Sequence, residues 1–243
     1  MSDYLNIFRE NGRRIARIRA ELVTFAQTHP QLETIEVEAC TLIKAAGGEP
    51  AFKRVPGYHW ATCISLNAQI VHHPPVGRLK PGDLVTIDTG MYFQGTTSDC
   101  ATAFVFGPPT VAQTRFLQIG QKALRKAISQ AQPDNQIRDL SESIQKTVEK
   151  AGYTVCRTLT GHGLGATLHE DPQIPCFIST DPQLRLKLKV GMVLAIEVMY
   201  MMGDWPLVQA DDGWTLSTAD GSPSAVFEDD VIVTANGPEV ITA

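Results

Sequence analysis

The segment Leu84–Cys100, with the sequence LVTIDTGMYFQGTTSDC, constrains the fold of this chain more than any other. Two runs of β-forming side chains flank the turn signal Gln94-Gly95, which is the pattern of a β-hairpin. If the centre of the turn lies between Phe93 and Gln94, Asp88 lies directly opposite Asp99. If it is centred one residue later, the two acids become diagonal neighbours. In both registers they share one face of the hairpin.

Two carboxylates this close in apolar surroundings repel each other, and each loses hydration. Directly opposite residues have Cβ atoms roughly 4.5–5.5 Å apart. A shared proton or a metal cation would hold such a pair together. The alternative is a solvated hairpin face that carries two unrelated acids. The hairpin by itself leaves both interpretations open.

The composition indicates an ordinary soluble globular protein. The chain has 243 residues, 43% of them hydrophobic and 19% charged, which suits one large domain or two small ones. The net charge of −5 argues against DNA or RNA as the main ligand. Neither an 18-residue apolar run nor an N-terminal apolar signal region is present, so no membrane association is expected. Five cysteines without metal-type spacing predict free thiols in the cytoplasm.

Hydrophobic periodicity predicts the same order of elements twice. Helices are expected at about residues 4–27, 32–46, 110–130 and 137–151. Besides the hairpin, strands are expected at about residues 61–67, 153–159, 192–202, 213–218 and 225–234. The halves, about 1–109 and 110–243, therefore form one pseudo-symmetric α+β domain with a site between them.

The second half also carries polar side chains in apolar surroundings. Glu197 lies in MVLAIEVMYMM and Glu228 in SAVFEDDVIVT, while GHGLGATLHEDP places His162 and His169 in an expected glycine-rich loop. A buried glutamate is costly unless it has a cationic partner, either Lys or Arg or a metal ion. Four acids together with imidazole suit Mn²⁺, Fe²⁺ or Co²⁺, alone or as a pair of ions.

These residues occur within motifs that resemble a known family. The motifs are GYHWATCISLN, the His72 region, IDTG…SD, GHGLGATLHEDPQIP, GMVLAIE, DGWT and SAVFEDDVIVT, in this order over nearly the whole chain. The chain resembles the pita-bread metallopeptidases, and among them the type I methionine aminopeptidases. The resemblance implies a pita-bread fold, with a pseudo-two-fold helix-helix-strands repeat around a central antiparallel sheet. It also implies a monomeric cytoplasmic enzyme that removes the initiator methionine from nascent proteins when the second residue is small.

The resemblance assigns a role to each candidate site residue. The metal ligands implied are Asp88, Asp99, His169, Glu197 and Glu228, which would hold two divalent ions (Co, Mn, Fe or Zn) and a bridging hydroxide. Glu197 would also transfer a proton, and His72, rather than the adjacent His73, would contact the peptide at the scissile bond. His162 is expected to orient its loop. The implied pocket for the methionine side chain consists of Tyr58, Cys63 and Trp214. Asn67 and Ser224 match positions that bind Na⁺ or K⁺.

The chain departs from the family pattern at one substrate-binding position. Cys176 stands where a second histidine usually contacts the substrate amide, and a thiol is a poor replacement for imidazole. Two alternatives therefore stay open, a proline-directed exopeptidase of the same fold and a catalytically weak binding module. The segment DCATAF lacks the basic residue typical of Xaa-Pro dipeptidases, which weakens the first.

A basic segment near the N-terminus has two interpretations. Arg9–Arg19, RENGRRIARIR, is the solvated face of an amphipathic helix or a contact with the ribosome.

Overall fold

The computed structural model describes residues 2–243 and places two helices before the main strands of each half. The helices are α1 (Ser2–Ala26), α2 (Leu32–Ala45), α3 (Val111–Ile128) and α4 (Ile137–Glu149). The strands of the first half are β1 (Glu49–Pro50), β2 (Thr62–Leu66), β3 (Gln69–Val71), β4 (Leu84–Phe93) and β5 (Thr96–Val105). Those of the second half are β6 (Thr154–Val155), β7 (Thr160–Gly163), β8 (Glu170–Pro175), β9 (Val193–Met201), β10 (Leu207–Gln209), β11 (Leu216–Thr218), β12 (Ser224–Thr234) and β13 (Gly237–Val240).

The β4–β5 hairpin turns at Gln94-Gly95, as the sequence predicts. Phe93 pairs with Thr96, and the two residues between them have φ angles of +47° and +85°. Positive φ at both central positions is the feature of the tight turn that matches the natural twist of a hairpin.

This turn decides between the two expected registers. Asp88 pairs with Ala101, and Asp99 pairs with Gly90. The two acids are therefore diagonal neighbours on one face of the hairpin, which is the second of the two registers. Moving the centre of the turn by one residue changes which residues pair across the hairpin, and so it decides between the two registers.

The first half is built on the β4–β5 hairpin. β5 lies along one edge of β4, while β1 and β2 lie along the other. α1 and α2 cover this sheet, and the buried side chains of the interface include Ile15, Leu22, Ile35, Ile43 and Ile87. The buried Asn11 of α1 donates hydrogen bonds to the carbonyls of Met91 and Thr96, so the helix is also fixed by polar contacts.

The second half is built on the long antiparallel pair β9 and β12. Its strands run in the order β13-β12-β9-β7-β8, with β6 also paired to β9. The register of β9 and β12 places Glu197 directly opposite Glu228. α3 and α4 cover the apolar face of this sheet through Phe116, Ile144 and other buried side chains.

A small third sheet joins the two halves. Its order is β10-β11-β3, so a strand of the first half pairs with one of the second. Leu216 of β11 pairs with Val71 of β3. This pairing brings His72 and Trp214, which lie just beyond these two residues, to one side of the molecule.

The structure confirms the helix-helix-strands repeat and corrects three local expectations. The strand expected at 153–159 is limited to Thr154–Val155. The strand expected at 213–218 begins at Leu216, because Asp212 accepts hydrogen bonds from the amides of Trp214 and Thr215 and closes a turn there. His162 lies within β7 and not in a loop.

Across residues 2–243, no helix combines the length and the apolar character that a membrane crossing requires.

Close packing of α3 on the sheet makes Gly120 sensitive to substitution. A Cβ at this position would lie 2.5 Å from the Tyr200 hydroxyl oxygen and 2.6 Å from Cδ2 of Phe227. We expect Gly120→Leu to lower the free energy of unfolding by about 1–3 kcal/mol through overpacking, measured by urea denaturation. Gln121→Leu, at the neighbouring exposed position, is the control. Equal stability of both variants would show that the helix shifts without cost.

Candidate metal centre

A cavity of about 310 Å³ lies between the two halves. One part of its wall consists of carboxylates and imidazoles, namely His72, Asp88, Asp99, His162, His169, Glu197 and Glu228. The rest of its lining is mainly apolar. Within residues 2–243, no lysine or arginine lines this cavity. The salt-bridge alternative for Glu197, which requires a Lys or Arg partner, therefore has no support here.

The four acids come from two strand pairs. The hairpin supplies Asp88 and Asp99, and the β9–β12 pair supplies Glu197 and Glu228. The residues on either side of each acid are buried or half-buried, so alternation along the strands directs their side chains away from the cavity and the acids towards it. Burial of the flanking residues therefore fixes where the carboxylates point.

Several carboxylate oxygens have no hydrogen-bond partner although they are buried. They are Oδ1 of Asp88, Oδ1 of Asp99 and Oε1 of Glu228. Leaving such atoms unpaired is expensive, and native structures rarely do so without a ligand or ion. Hard carboxylate oxygens together with imidazole nitrogens are the donor set that a divalent cation accepts. The residues present therefore fit a metal centre.

The electrostatics of the cavity also favour a cation. Burial raises the pKa of Asp88, Glu197 and Glu228 well above their usual range, and the neighbouring carboxylates raise each of them further. Burial raises the pKa of Asp99 to about 7, although its hydrogen bond with Asp88 acts in the opposite direction. Like charges in a desolvated space retain protons unless a cation replaces them.

His162 lies closer to the acids than the sequence suggested. Ligand atoms of Asp99, His162 and Glu228 all lie within 4.8 Å of one another. Nδ1 of His162 donates to the carbonyl of Gly163 at 2.9 Å, so Nε2 carries the lone pair, 3.6 Å from Oε1 of Glu197. Burial and the nearby His169 lower the pKa of His162 to about 4. A neutral imidazole with Nε2 free is suited to bind a metal ion.

His169, the imidazole ligand implied by the resemblance, lies next to His162. The two ring centroids are 4.6 Å apart in an edge-to-face arrangement. His169 is exposed and lines the cavity at its rim. The structure therefore places two neighbouring imidazoles in the cavity, and of these His162 lies within ligand distance of Asp99 and Glu228.

The structure separates the roles of His72 and His73. His72 lines the cavity and has a φ of +61°, a left-handed conformation that is uncommon outside glycine. Nδ1 of His73 instead donates to the carbonyl of Ile64 at 2.6 Å. The preference for His72 as the residue that faces a substrate is consistent with this geometry.

The apolar part of the cavity contains the three residues expected to bind a side chain. Tyr58, Cys63 and Trp214 all line it, and Phe52 and Leu168 pack beside them. Tyr58 and Trp214 meet edge to face with centroids 5.1 Å apart. Since the Tyr58 hydroxyl donates to the carbonyl of Thr62 at 2.9 Å, the ring presents only its apolar surface to the cavity.

The structure does not bring Cys176 to the cavity. Its side chain is buried in the core, and its thiol donates to the backbone carbonyl of Glu197 at 3.3 Å. Thr160 and Gln173 line this wall instead, with Oγ1 of Thr160 donating to Oε1 of Gln173 at 2.6 Å. Cys176 therefore does not face the cavity from which a substrate would be contacted, because its thiol packs inwards and binds a backbone carbonyl.

Asn67 and Ser224 lie together, away from the cavity. The Ser224 hydroxyl donates to the carbonyls of Asn67 at 3.2 Å and Gln69 at 3.1 Å. The Asn67 side chain is already used, since it donates to Asp83 and accepts from the Leu84 amide. A monovalent cation here, which stays a prediction, would use backbone carbonyls and the hydroxyl.

Arg19 binds the strands that carry the acids, a role that the sequence did not predict. Its guanidinium donates to the carbonyl of Glu228 and to the carboxylate of Asp229, both at 3.0 Å, and to the carbonyl of Thr242 at 2.8 Å. A longer contact of 3.5 Å reaches the carbonyl of Ala101 on β5. One side chain of α1 thus binds both acid-bearing strand pairs. Partners more than 80 residues away leave no signal in local sequence.

Two other arginines of the basic segment also have intramolecular partners. Arg9 binds Glu239 at 2.7 Å, and Arg14 binds Glu10 at 2.8 Å. Most of this segment is therefore not a free basic patch, and contact with the ribosome stays a prediction.

With this geometry described, comparison with known proteins identifies the family. A sequence model of the family described as metallopeptidase family M24 matches residues 6–235. The chain belongs to metallopeptidase family M24.

Similar proteins within the family have been named for one activity. The methionine aminopeptidase of Clostridium perfringens is 40% identical over 219 residues, covering 89% of this chain and 87% of that protein. Methionine aminopeptidase 1 of Bacillus subtilis is 35% identical and covers 98% of this chain and 96% of its own length. The crystal structure of the methionine aminopeptidase of Thermotoga maritima is 35% identical, has a TM-score of 0.93, and covers 100% of this chain and 97% of its own. The pita-bread fold implied by the sequence is confirmed.

The contacts of Arg19 predict a substitution that weakens both the fold and the metal centre. We expect Arg19→Met to lower the free energy of unfolding by about 3 kcal/mol, because it leaves Asp229 without its cation. Mn²⁺ affinity, measured by calorimetry, should fall too, because β5 and β12 lose their common support. Arg17→Met, at an exposed position of the same helix, should change neither quantity. Unchanged Mn²⁺ affinity in Arg19→Met would restrict the role of Arg19 to stability.

The raised carboxylate pKa values predict how the stability of the metal-free protein depends on pH. Since the pKa of Asp99 rises from 3.8 to about 7, the folded state binds more protons than the unfolded state between these values. The contribution of Asp99 to the free energy of unfolding should therefore fall as the pH rises from 4 to 7, while His162, whose pKa is lowered to about 4, contributes in the opposite direction below pH 6.5. Urea denaturation of chelator-treated wild type and Asp99→Asn at pH 5 and pH 7.5 isolates the contribution of Asp99. The stability of the wild type relative to Asp99→Asn should be lower at pH 7.5 than at pH 5, and an equal or higher value would contradict the burial of charge described here.

Proposed function

We propose that this protein is a metal-dependent methionine aminopeptidase that removes the N-terminal methionine from nascent polypeptides with a small second residue. One observation carries the proposal. A single cavity holds a wall of buried carboxylates and imidazoles directly beside an apolar pocket formed by Tyr58, Cys63 and Trp214. The names of the similar family members support the same activity.

The apolar pocket is suited to the methionine side chain. Aromatic rings and a thiol form its surface, and sulfur makes favourable contacts with aromatic edges. Burial raises the pKa of Cys63 to about 12, so this residue presents a neutral thiol and not a thiolate. A thioether meets no charge here, whereas a lysine or glutamate side chain would lose its hydration without a partner.

The carboxylate wall is suited to hold the divalent metal. The proposed ligands are Asp88, Asp99, His169, Glu197 and Glu228, holding two ions of Co, Mn, Fe or Zn, with His162 as a further imidazole beside them. When bound, such ions lower the pKa of a coordinated water and so make a nucleophile available near pH 7.

Two residues of this chain are placed to handle protons and position the substrate. Burial raises the pKa of Glu197 well above its usual range, so this carboxylate can take up a proton from the attacking water and pass it to the leaving amine. His72, which lines the same cavity, can donate a hydrogen bond to the peptide at the scissile bond. Buried apolar neighbours keep bulk water away from Glu197 during these steps.

The organisation of the protein belongs to the proposal as well. Both halves contribute acids to the cavity, which supports one domain over residues 1–243. All five cysteines are free, as expected in a reducing cytoplasm. Peptides at the N-terminus of newly made proteins are the proposed partners, and a monomer is sufficient because the cavity is complete within one chain.

The test is hydrolysis of Met-Ala-Ser and Ala-Pro-Ser by chelator-treated protein titrated with Mn²⁺, Fe²⁺ or Co²⁺. We expect metal-dependent release of methionine and no cleavage of the proline peptide. Asp99→Asn should lower kcat by at least about 100-fold, because a carboxamide is a poor ligand for these ions. Lys122→Gln, which removes an exposed charge on α3, should be fully active.

Each of the other possible results supports an alternative function or contradicts the proposed metal centre. Cleavage of Ala-Pro-Ser in preference to Met-Ala-Ser would make the protein a proline-directed exopeptidase. Mn²⁺ binding shown by calorimetry without cleavage of either peptide would favour the binding module. Full activity of Asp99→Asn would contradict the assigned metal centre.

A further inference from the structure

A second cavity of about 540 Å³ opens beside the first. Val55, Leu168 and His169 line both, so the two spaces share one rim. The residues that line only the second cavity are Ala51, Arg54, Pro56, Thr97, Ala166 and Thr167. The proposed reaction uses none of these residues. A polypeptide whose first residue occupies the first cavity must continue past the rim, and His169 marks one edge where it can leave.

The second cavity differs from the first in charge. Arg54 is its permanently charged lining residue, and among residues 2–243 no carboxylate lines it. The first cavity contains four acids and no arginine or lysine. The two neighbouring spaces therefore favour opposite charges, a cation in the first and an anion in the second.

Arg54 is held in place without being neutralised by a strong partner. Its guanidinium lies over the ring of Tyr92, 3.8 Å from the centroid. Its ion pair with Glu49 measures 3.3 Å, and the two side chains are 49% and 70% exposed. Exposed pairs of this kind contribute little, so the charge of Arg54 stays available to a ligand. Stacking on Tyr92 fixes the plane of the guanidinium, as bidentate binding of a carboxylate requires.

The opposite wall of the second cavity is also fixed. The amide of Thr97 donates to the carbonyl of Gly165 at 2.8 Å, and the amide of Thr167 donates to Glu170 at 3.0 Å. The first bond holds the loop before His169 against the hairpin, and the second fixes the conformation of the loop itself. The cavity is thus built between two supported walls and is not a gap beside a loose loop.

We propose that the second cavity binds the substrate residues that follow the cleaved bond, and that Arg54 selects an acidic side chain among them. This inference rests on the proposed function and adds a preference for the sequence beyond the second residue. The occupant is the substrate polypeptide itself. Two features support this choice: the shared rim makes the cavities continuous, and the charge of Arg54 complements a carboxylate.

The test compares Met-Ala-Ser-Gln-Ser peptides in which residue 3, 4 or 5 is Glu, Gln or Lys. For metal-loaded wild-type protein at low salt, we expect kcat/KM to be about two- to fivefold higher with Glu than with Lys at one of these positions. Salt at 0.5 M should remove the difference, since the contact is partly exposed. Arg54→Gln should flatten the preference, and Arg54→Glu should reverse it. Arg125→Glu, an exposed charge reversal on α3, should leave the preference as in the wild type.

The outcomes separate this inference from the proposed function. An equal Glu-to-Lys ratio in wild type and Arg54→Glu would overturn the role of Arg54. Failure to cleave the neutral Met-Ala-Ser-Gln-Ser peptide would instead overturn the proposed function. In that case calorimetric binding of the Glu and Lys peptides to metal-loaded wild type and Arg54→Glu still decides the inference. A preference that reverses supports it, and one that does not change refutes it.

Discussion

Mutual repulsion among four buried carboxylates is the constraint on which this structure depends. No arginine or lysine lines the cavity that holds them, within the part of the chain described, and three of their oxygens lack any hydrogen-bond partner. Apolar strands on both sides and Arg19 behind them keep the acids together at a cost in folding stability. Protons relieve the repulsion in the metal-free protein and a bound cation would replace them, so the energetics of the fold and the chemistry of the site have the same cause.

Each of the two halves supplies part of this carboxylate cluster. Each half contributes one antiparallel strand pair with two acids, and each covers its sheet with two helices, so that neither half by itself encloses a complete donor set. Arg19 binds backbone carbonyls on both strand pairs, which makes the first helix part of the support of the second half. The repeated order of elements thus gives the two halves similar architectures. Individual side chains such as Arg19 fix the position of one half relative to the other.

Local patterns predicted most of the frame and much of the site. The hairpin, the four helices and the acids on strands follow from periodicity and from the cost of burying charge. The hairpin register was left open because it depends on the turn centre, and the φ angles of Gln94 and Gly95 settled it. The inward packing of Cys176, the position of His162 beside the acids and the contacts of Arg19 could not be predicted. Each depends on partners that are distant in sequence.

The pairing of β3 with β11 connects Trp214, in the apolar part of the cavity, to His72, which lines the same cavity. Val71 and Leu216 are paired, His72 follows the first, and Trp214 lies two residues before the second. Under the proposed function, a first side chain that displaces Trp214 would also displace the strand that precedes His72. Discrimination among first residues should therefore affect the rate of the bound complex as well as the strength of binding.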